Sequence, residues 1–274
     1  MVPVPLDALR PLAGLYIFVM IGVLAWLWYR GRISRTLAAA VLVVSAAFGF
    51  LFASVAPYQF GLLLLGDTKA LGGPLVLAVV ILGLLFLLSL LFSRIFCSSL
   101  CPLGALQELA SLAPVPKLRL RAKTALYAIR FVVLGIIIVA AVFFSVNILA
   151  FLGVPGLFSL AFTVGTLVML GLLVLSLFLY RPFCRILCPY GALLSLAGLG
   201  SRFRLRRNPS CIECGKCEFA CPVDEAKRDD LKGECYLCGR CTEVCPVKGA
   251  ITYRRADAAM DRPRGDTGPG GGAQ

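Results

Sequence analysis

Five long apolar segments constrain the fold of this chain more than any other feature. Hydrophobic residues make up 59% of the sequence, and several uncharged runs reach the roughly 20 residues that a helix needs to cross a bilayer. The sequence therefore predicts an all-α integral membrane bundle of about five transmembrane helices. The predicted spans lie at about 12–29, 37–56, 74–92, 125–146 and 161–180.

The basic residues predict how these spans are oriented. Only Arg10 precedes the first span and the basic stretch RGRISR follows it, so this segment is interpreted as a retained helix rather than a cleaved signal peptide. Lys and Arg are concentrated after spans one, three and five, whereas the opposite loops, about 57–73 and 147–160, contribute only Lys69. By the positive-inside rule, the C-terminal part is expected in the cytoplasm and the N-terminus outside, in a bacterial inner membrane.

The net charge of +13 does not indicate a nucleic-acid partner. The basic residues flank the spans, where anionic lipid head groups attract them, and between residues 208 and 253 acidic side chains outnumber basic ones. These basic residues are interpreted as topology anchors, with Arg130 close enough to the end of its span to reach the membrane surface.

A sequence motif occurs twice, each time directly after a span. The segment RIFCSSLCPLGAL at 94–106 recurs as RPFCRILCPYGAL at 181–193. Spans two and three with the first copy, and spans four and five with the second, therefore resemble two parallel hairpin repeats. In each copy the two cysteines are four residues apart and are expected to share one face of a helical turn. The following Pro suits the start of a short amphipathic helix along the cytoplasmic surface.

The thiols of the two copies are predicted to converge on one site at the membrane face. Four thiolates would suit a soft metal or an iron-sulfur cluster, and the neighbouring arginines are expected to lower the thiol pKa values. A redox-active dithiol pair and inert buried cysteines remain alternatives at this point. The residues concerned are Cys97, Cys101, Cys184 and Cys188.

The other eight cysteines form two strings with identical spacing. CIECGKCEFACP at 211–222 and CYLCGRCTEVCP at 235–246 both follow the pattern C-x2-C-x2-C-x3-C-P. A zinc site uses four ligands, often with His, and this sequence contains no His. The absence of His also removes the usual ligand of a haem. A disulfide framework would need an oxidising compartment, contrary to the predicted cytoplasmic position.

The strings resemble those of bacterial two-cluster ferredoxins, in which the fourth Cys of each string ligates the other cluster. The resemblance implies a small α+β domain with two 4Fe-4S clusters. One cluster would be held by Cys211, Cys214, Cys217 and Cys245, and the second by Cys235, Cys238, Cys241 and Cys221.

The order of hairpin, C-x3-C-P, hairpin, C-x3-C-P and ferredoxin strings resembles the NapH family of membrane quinol dehydrogenase components, and also the membrane polyferredoxins NosR and CcoG. The likeness covers residues 37–253. It implies an electron-transfer subunit of an oxidoreductase rather than a stand-alone enzyme, working between the quinone pool or a cytoplasmic donor and a partner oxidoreductase. Because no flavin domain is attached, the partner is expected to be a separate redox or flavin protein. A metal-reducing assembly factor that handles copper, as CcoG implies, is the alternative function.

The predicted organisation has four parts. Residues 1–36 form the first span and its cytoplasmic turn, 37–200 the membrane core of two repeats, 201–253 the ferredoxin-like domain, and 254–274 a disordered tail. A quinone site is not located by the sequence. Its conspicuous polar candidates, in the first outer loop, are Tyr58, Gln59, Asp67 and Lys69.

Overall fold

The computed structural model of the protein describes residues 6–52, 56–67, 75–118, 122–159 and 162–255. Within these ranges the chain is mostly helical, with one small antiparallel sheet near the C-terminal end. This confirms the expected helical architecture with a small ferredoxin-like domain.

Five apolar helices correspond to the predicted spans: α1 Leu6–Tyr29, α2 Arg35–Phe52, α4 Leu75–Phe92, α6 Lys123–Phe144 and α9 Val164–Leu175. By length and composition, α4 and α6 could cross a membrane, among the helices of the described ranges. Helix α9 ends five residues before the predicted end of the fifth span, because residues 176–178 form a turn. Five membrane crossings therefore remain a prediction.

The two predicted outer loops contain helices, so their assignment as loops was wrong. Helix α3 covers Ala56–Leu65, and two short helices follow α6, α7 at Ile148–Phe151 and α8 at Val154–Ser159. The backbone is helical here because apolar side chains pack inward and local caps are present. Asn147, for example, caps α7 by accepting a hydrogen bond from the N–H of Leu149 (3.1 Å).

The helices that follow the C-x3-C-P motifs are α5, Pro102–Ser111, and α10, Pro189–Leu199. Both begin with Pro in their first turn, as the sequence predicts. Both are packed into the helical bundle, α5 on α2, and α10 on α4 and α6, and their position along the membrane surface stays a prediction. Leu103 of α5 and Leu194 of α10 are both fully buried. The small residues of these helices allow close packing that an amphipathic pattern does not reveal.

The C-terminal module contains strands β1 Phe203–Arg207 and β2 Ile251–Arg255, and short helices α11 Lys216–Ala220 and α12 Arg240–Glu243. The strands pair antiparallel, with Leu205 opposite Tyr253.

The sheet of this module packs against the ends of α1 and α4. The ring of Phe203 stacks on that of Phe92 at 5.9 Å between centroids, and the hydroxyl of Tyr253 donates to the carbonyl of Phe92 (2.8 Å). The ferredoxin-like module is therefore docked directly on the apolar helices, and its position fixes the sites described next.

Candidate metal centres

The two ferredoxin-type strings have the same backbone shape. Gly215 and Gly239 adopt positive φ values of 72° and 78° and start helices α11 and α12. The residue before the second Cys of each string, Glu213 or Leu237, also has a positive φ. Residues other than Gly rarely adopt this backbone conformation. Its occurrence at equivalent positions indicates that each string is wound around a central space.

Two chambers result, each surrounded by four cysteines from both strings. The structure brings together the two sets that the ferredoxin resemblance implies, with the fourth Cys of each string crossing to the other chamber. The first chamber is lined by Cys211, Cys214, Cys217 and Cys245, and the second by Cys221, Cys235, Cys238 and Cys241.

A third chamber lies in the helical core, between the two repeats. The four remaining cysteines line it together with aromatic and aliphatic side chains such as Phe96, Phe183 and Tyr190. All four are buried: Cys97, Cys101, Cys184 and Cys188. The four thiols thus line one common cavity, and their ligation of a shared group stays a prediction.

Each C-x3-C segment forms a π-turn rather than the α-turn that the spacing predicts. The turns cover Phe96–Leu100 and Phe183–Leu187. The N–H of Cys101 donates to the carbonyl of Phe96 (2.9 Å), and that of Cys188 to the carbonyl of Phe183 (3.0 Å). The wider turn is typical of functional sites in helices.

The glycine of each C-P-x-G sequence permits this close fold. A Cβ atom on Gly104 would lie 2.6 Å from the carbonyl oxygen of Cys97, and one on Gly191 would lie 2.6 Å from that of Cys184. Because real Cβ contacts are not this short, the second helix of each motif can approach its own π-turn only with Gly at this position.

The twelve cysteines are all free thiols. Among the described residues, no three Cys, Asp or Glu side chains converge closely enough to hold a single metal ion. In each of the three chambers four cysteines line one common space. Four thiolates are the ligand set that a 4Fe-4S cluster uses.

Buried arginines hold the two π-turns in place. Arg181 donates to the carbonyls of Cys97 and Ser98 (both 2.6 Å). Arg130 donates in turn to the carbonyls of Arg185 (2.7 Å) and Cys184 (3.1 Å). The interpretation of these residues as membrane-surface anchors was wrong for Arg130 and Arg181, since both are at most 2% exposed.

Two buried carboxylates pair with these arginines, and sequence reasoning missed both. Glu234, directly before the second string, contacts Arg94 (3.1 Å) and Arg130. Glu108 of α5 contacts Arg181 (2.9 Å) and Arg240 (3.0 Å).

Glu108 is held in its charged form by this pairing. Burial alone would raise the pKa of Glu108. The opposite effect of Arg181 and Arg240 is larger, so the pKa of Glu108 lies below its usual range. The ion pairs with Arg181 and Arg240 are therefore present at neutral pH.

Tyr236 joins the module to the core. It follows the cluster-ligand candidate Cys235, is 1% exposed, and its ring contacts two guanidinium groups, that of Arg94 at 4.4 Å and that of Arg181 at 4.8 Å from the ring centroid. Both arginines also contact the C-x3-C-P segments of the core.

The neighbouring arginines do not lower the pKa values of Cys101 and Cys184, contrary to expectation. Burial raises the pKa of Cys184 to about 11, although Arg181, Arg94 and Arg130 act in the opposite direction. Burial and the neighbouring thiols raise the pKa of Cys101 to about 12. A bound cation would favour the thiolate forms of these two residues.

A fourth cavity, of about 640 Å³, lies between the core and the ferredoxin-like module. Its walls include the apolar residues Leu24, Trp28 and Val41, and it reaches Cys238 and Arg240 of the second string.

The sequence could not predict this cavity, because its walls come from distant segments. Of the outer-loop candidates for a quinone site, Tyr58, Gln59 and Asp67 do not line it, and Lys69 lies outside the described residues.

Comparison with known proteins places the chain in a family. A family model described as a 4Fe-4S binding domain matches twice, at residues 74–121 and 160–208. Each match contains one C-x3-C-P motif, and neither reaches the strings that begin at Cys211. The internal repeat is thus independently detected, and the expectation of an iron-sulfur protein is supported.

An uncharacterized protein of Methanocaldococcus jannaschii, MJ0750, is 31% identical over 204 residues, which cover 70% of this chain and 81% of that protein. The chain belongs to the same family as this archaeal protein. Its closer assignment to NapH, NosR or CcoG stays a prediction.

Two bacterial relatives match over shorter regions. The putative electron transport protein YccM of Escherichia coli is 34% identical over 53% of this chain and 46% of its own length. Protein NirI of Paracoccus denitrificans is 37% identical over 54% of this chain and 23% of its own length. The chain therefore spans less than half of either protein. No solved structure matches the chain.

Proposed function

We propose that this protein is a membrane iron-sulfur subunit that relays electrons between a membrane quinol and a partner redox protein. The observation that carries the proposal is the pair of crossed four-cysteine chambers in a module docked against apolar helices. The electron transport named for YccM supports the same type of activity.

The helical part supports a membrane location. Large apolar side chains on α4 and α6 are open to the surroundings, with Val76 72% and Phe143 78% exposed. A lipid environment would remove this apolar surface from water at a gain of roughly 25 cal/mol per Å². Several crossings, with the cluster module on the cytoplasmic side of a bacterial inner membrane, are part of this proposal.

The eight cysteines of the two strings would hold the redox groups. 4Fe-4S clusters bound there would each accept and release one electron, so that two of them match the two electrons of a quinol, whose two protons pass to water. The strings provide eight free thiols, and backbone N–H groups nearby donate to their sulfurs. The N–H of Glu225, for instance, donates to the sulfur of Cys221 (3.3 Å).

The interface cavity is the proposed quinol site. Its volume of about 640 Å³ lies within the roughly 300–1,000 Å³ that is usual for sites of small molecules. Apolar side chains of α1 and α2 would accommodate the body of the quinol, and the polar groups of Ser111, Lys117 and Arg240 would face its oxygens. Cys238 in the wall would bring the second cluster next to the quinol.

The proposal is tested by reducing the anaerobically purified full-length protein with a short-chain quinol in detergent. The absorbance of the clusters should bleach. Ala38→Trp, which fills the cavity from α2, should slow bleaching by about tenfold, equivalent to roughly 1.4 kcal/mol. Val43→Trp, on the exposed face of the same helix, is the matched control and should have no effect.

Dithionite should bleach all three proteins equally. If dithionite bleaches the clusters but the quinol does not, the quinol proposal is wrong. Reduction of Cu²⁺ by the protein without any response to quinol would instead favour the metal-reducing assembly function.

A further inference from the structure

We infer that the four-cysteine chamber between the two repeats binds a third iron-sulfur cluster of the 4Fe-4S type. This site is separate from the two clusters of the ferredoxin-like module, and the inference does not depend on the proposed quinol reaction. It gives a chemical role to the C-x3-C-P motifs, which the ferredoxin resemblance leaves unexplained.

The core chamber matches a ferredoxin-type chamber in size and in ligands. The cavity volume is small in both, about 10 Å³ in the core chamber and about 10 Å³ in the chamber of Cys211. Both have four free thiols from two segments of chain.

Backbone donors point to the sulfurs in the same way at both kinds of site. The N–H of Gly191 donates to the sulfur of Cys188 (3.3 Å), as the N–H of Glu225 does to Cys221 in the ferredoxin-like module (3.3 Å). Such hydrogen bonds stabilise thiolate ligands and influence the potential of the cluster that they bind. An inert cysteine packed as a small apolar side chain has no need of them.

The charged side chains around the core chamber favour the binding of an anionic group. Four guanidinium groups share two carboxylates, Glu108 and Glu234, in this ion-pair network; the fourth, that of Arg240, is partly exposed and lines the second chamber of the module. Neutral thiols would leave the excess positive charge buried and only partly compensated, which is costly. Four thiolates around an iron-sulfur core leave a net negative charge at the site and would offset this excess. The four guanidinium groups belong to Arg94, Arg130, Arg181 and Arg240.

A short path connects this chamber to the second cluster of the module. Cys235 is a candidate ligand of that cluster, and its neighbour Tyr236 contacts Arg94 and Arg181. Arg181 in turn donates to the carbonyl of Cys97 (2.6 Å). Transfer of one electron along this path oxidises one centre and reduces the other by one electron, without breaking a bond or moving a proton.

Counting iron and acid-labile sulfide in the anaerobically purified full-length protein tests the inference. Three 4Fe-4S clusters require about twelve of each per chain, whereas the ferredoxin-like module alone accounts for about eight. About eight iron would overturn the inference, and so would about eight iron with one equivalent of copper or zinc. This count needs no variant and stands even where a substituted protein fails to fold.

Single substitutions then locate the additional iron. Cys97→Ser and Cys184→Ser should each lower the count from about twelve to about eight and leave the electron paramagnetic resonance signals of the ferredoxin-type clusters in place. Cys211→Ser is the matched control and should remove iron from the module but retain the core signal. Unchanged iron in both core variants would overturn the assignment. Failure of quinol to bleach any cluster would refute the proposed function but would not alter the count.

Discussion

Single buried arginines connect the helical core to the ferredoxin-like module. Arg94 and Arg130 come from the core, and both pair with Glu234 of the module. Arg240 of the module pairs with Glu108 of the core (3.0 Å). Charged groups are rarely buried unless they are paired, so these contacts specify one docked position of the module. They place the second cysteine string next to the core chamber.

The pair between Glu108 and Arg181 provides a test at the residue scale. Glu108→Gln keeps the shape of the side chain but leaves Arg181 buried without a counter-charge. The substitution should lower the free energy of unfolding by about 3–5 kcal/mol and the Tm by about 10 °C or more. The measurement is thermal unfolding of the detergent-solubilised protein, followed by circular dichroism.

Glu243→Gln serves as the matched control, because it breaks an ion pair with Arg35, whose side chain is 79% exposed. An exposed pair contributes about 1 kcal/mol or less, and the Tm of this variant should change by no more than about 4 °C. Equal effects of the two substitutions would show that the buried network does not determine docking.

The π-turns and the helices that follow them are the elements on which the core chamber depends. Gly104→Ala and Gly191→Ala would each place a methyl group 2.6 Å from the carbonyl of the first cysteine in the motif. The turn must then move, and the thiols move with it. We expect each variant to lose iron from the core chamber, from about twelve to about eight per chain, with the ferredoxin-type signals retained.

Gly83→Ala and Gly171→Ala are controls in the apolar helices, since a Cβ atom at either position meets nothing within 4 Å. Ala is also the better helix former by roughly 1 kcal/mol, so both controls should keep their iron and unfold at the same or a higher temperature. Full iron content in the Gly104 and Gly191 variants would mean that the core site forms without the close contact between each glycine and the π-turn before it.

Elements with a strong local signal could be predicted from the sequence, and elements defined by tertiary packing could not. Apolar runs predicted five of the helices, because helix formation follows from hydrophobicity within one segment. The same signal missed helix α3 and the burial of α10, which depend on neighbours distant in sequence. The two sets of cysteines that line the chambers of the module are those that the ferredoxin resemblance implies. The pairing of Arg94 with Glu234 joins residues 140 positions apart, so no local pattern could indicate it.

At the scale of the whole molecule, the cysteine chambers and the interface cavity lie around one contact between core and module. The second string faces the interface cavity through Cys238 and the core chamber through Tyr236. The first string, with the exposed Cys214, faces outward instead. Electrons that arrive from the membrane side would therefore reach the second cluster first, and a partner protein would meet the first cluster. This order rests on the contacts of Cys238 and Tyr236 with the interface cavity and the core, and on the exposure of Cys214.

The orientation of the whole molecule is the last prediction. Several arginines are used in buried ion pairs, so the basic residues left to set the orientation are exposed ones such as Arg30, Lys117 and Arg202. Reporter fusions after residues 35, 117 and 253 should be cytoplasmic, and fusions after residues 72 and 158 should be external. The measurement pairs alkaline phosphatase, active outside, with a fluorescent protein, active inside. A C-terminal fusion with phosphatase activity would contradict the orientation, since it would place the cluster module in the oxidising compartment.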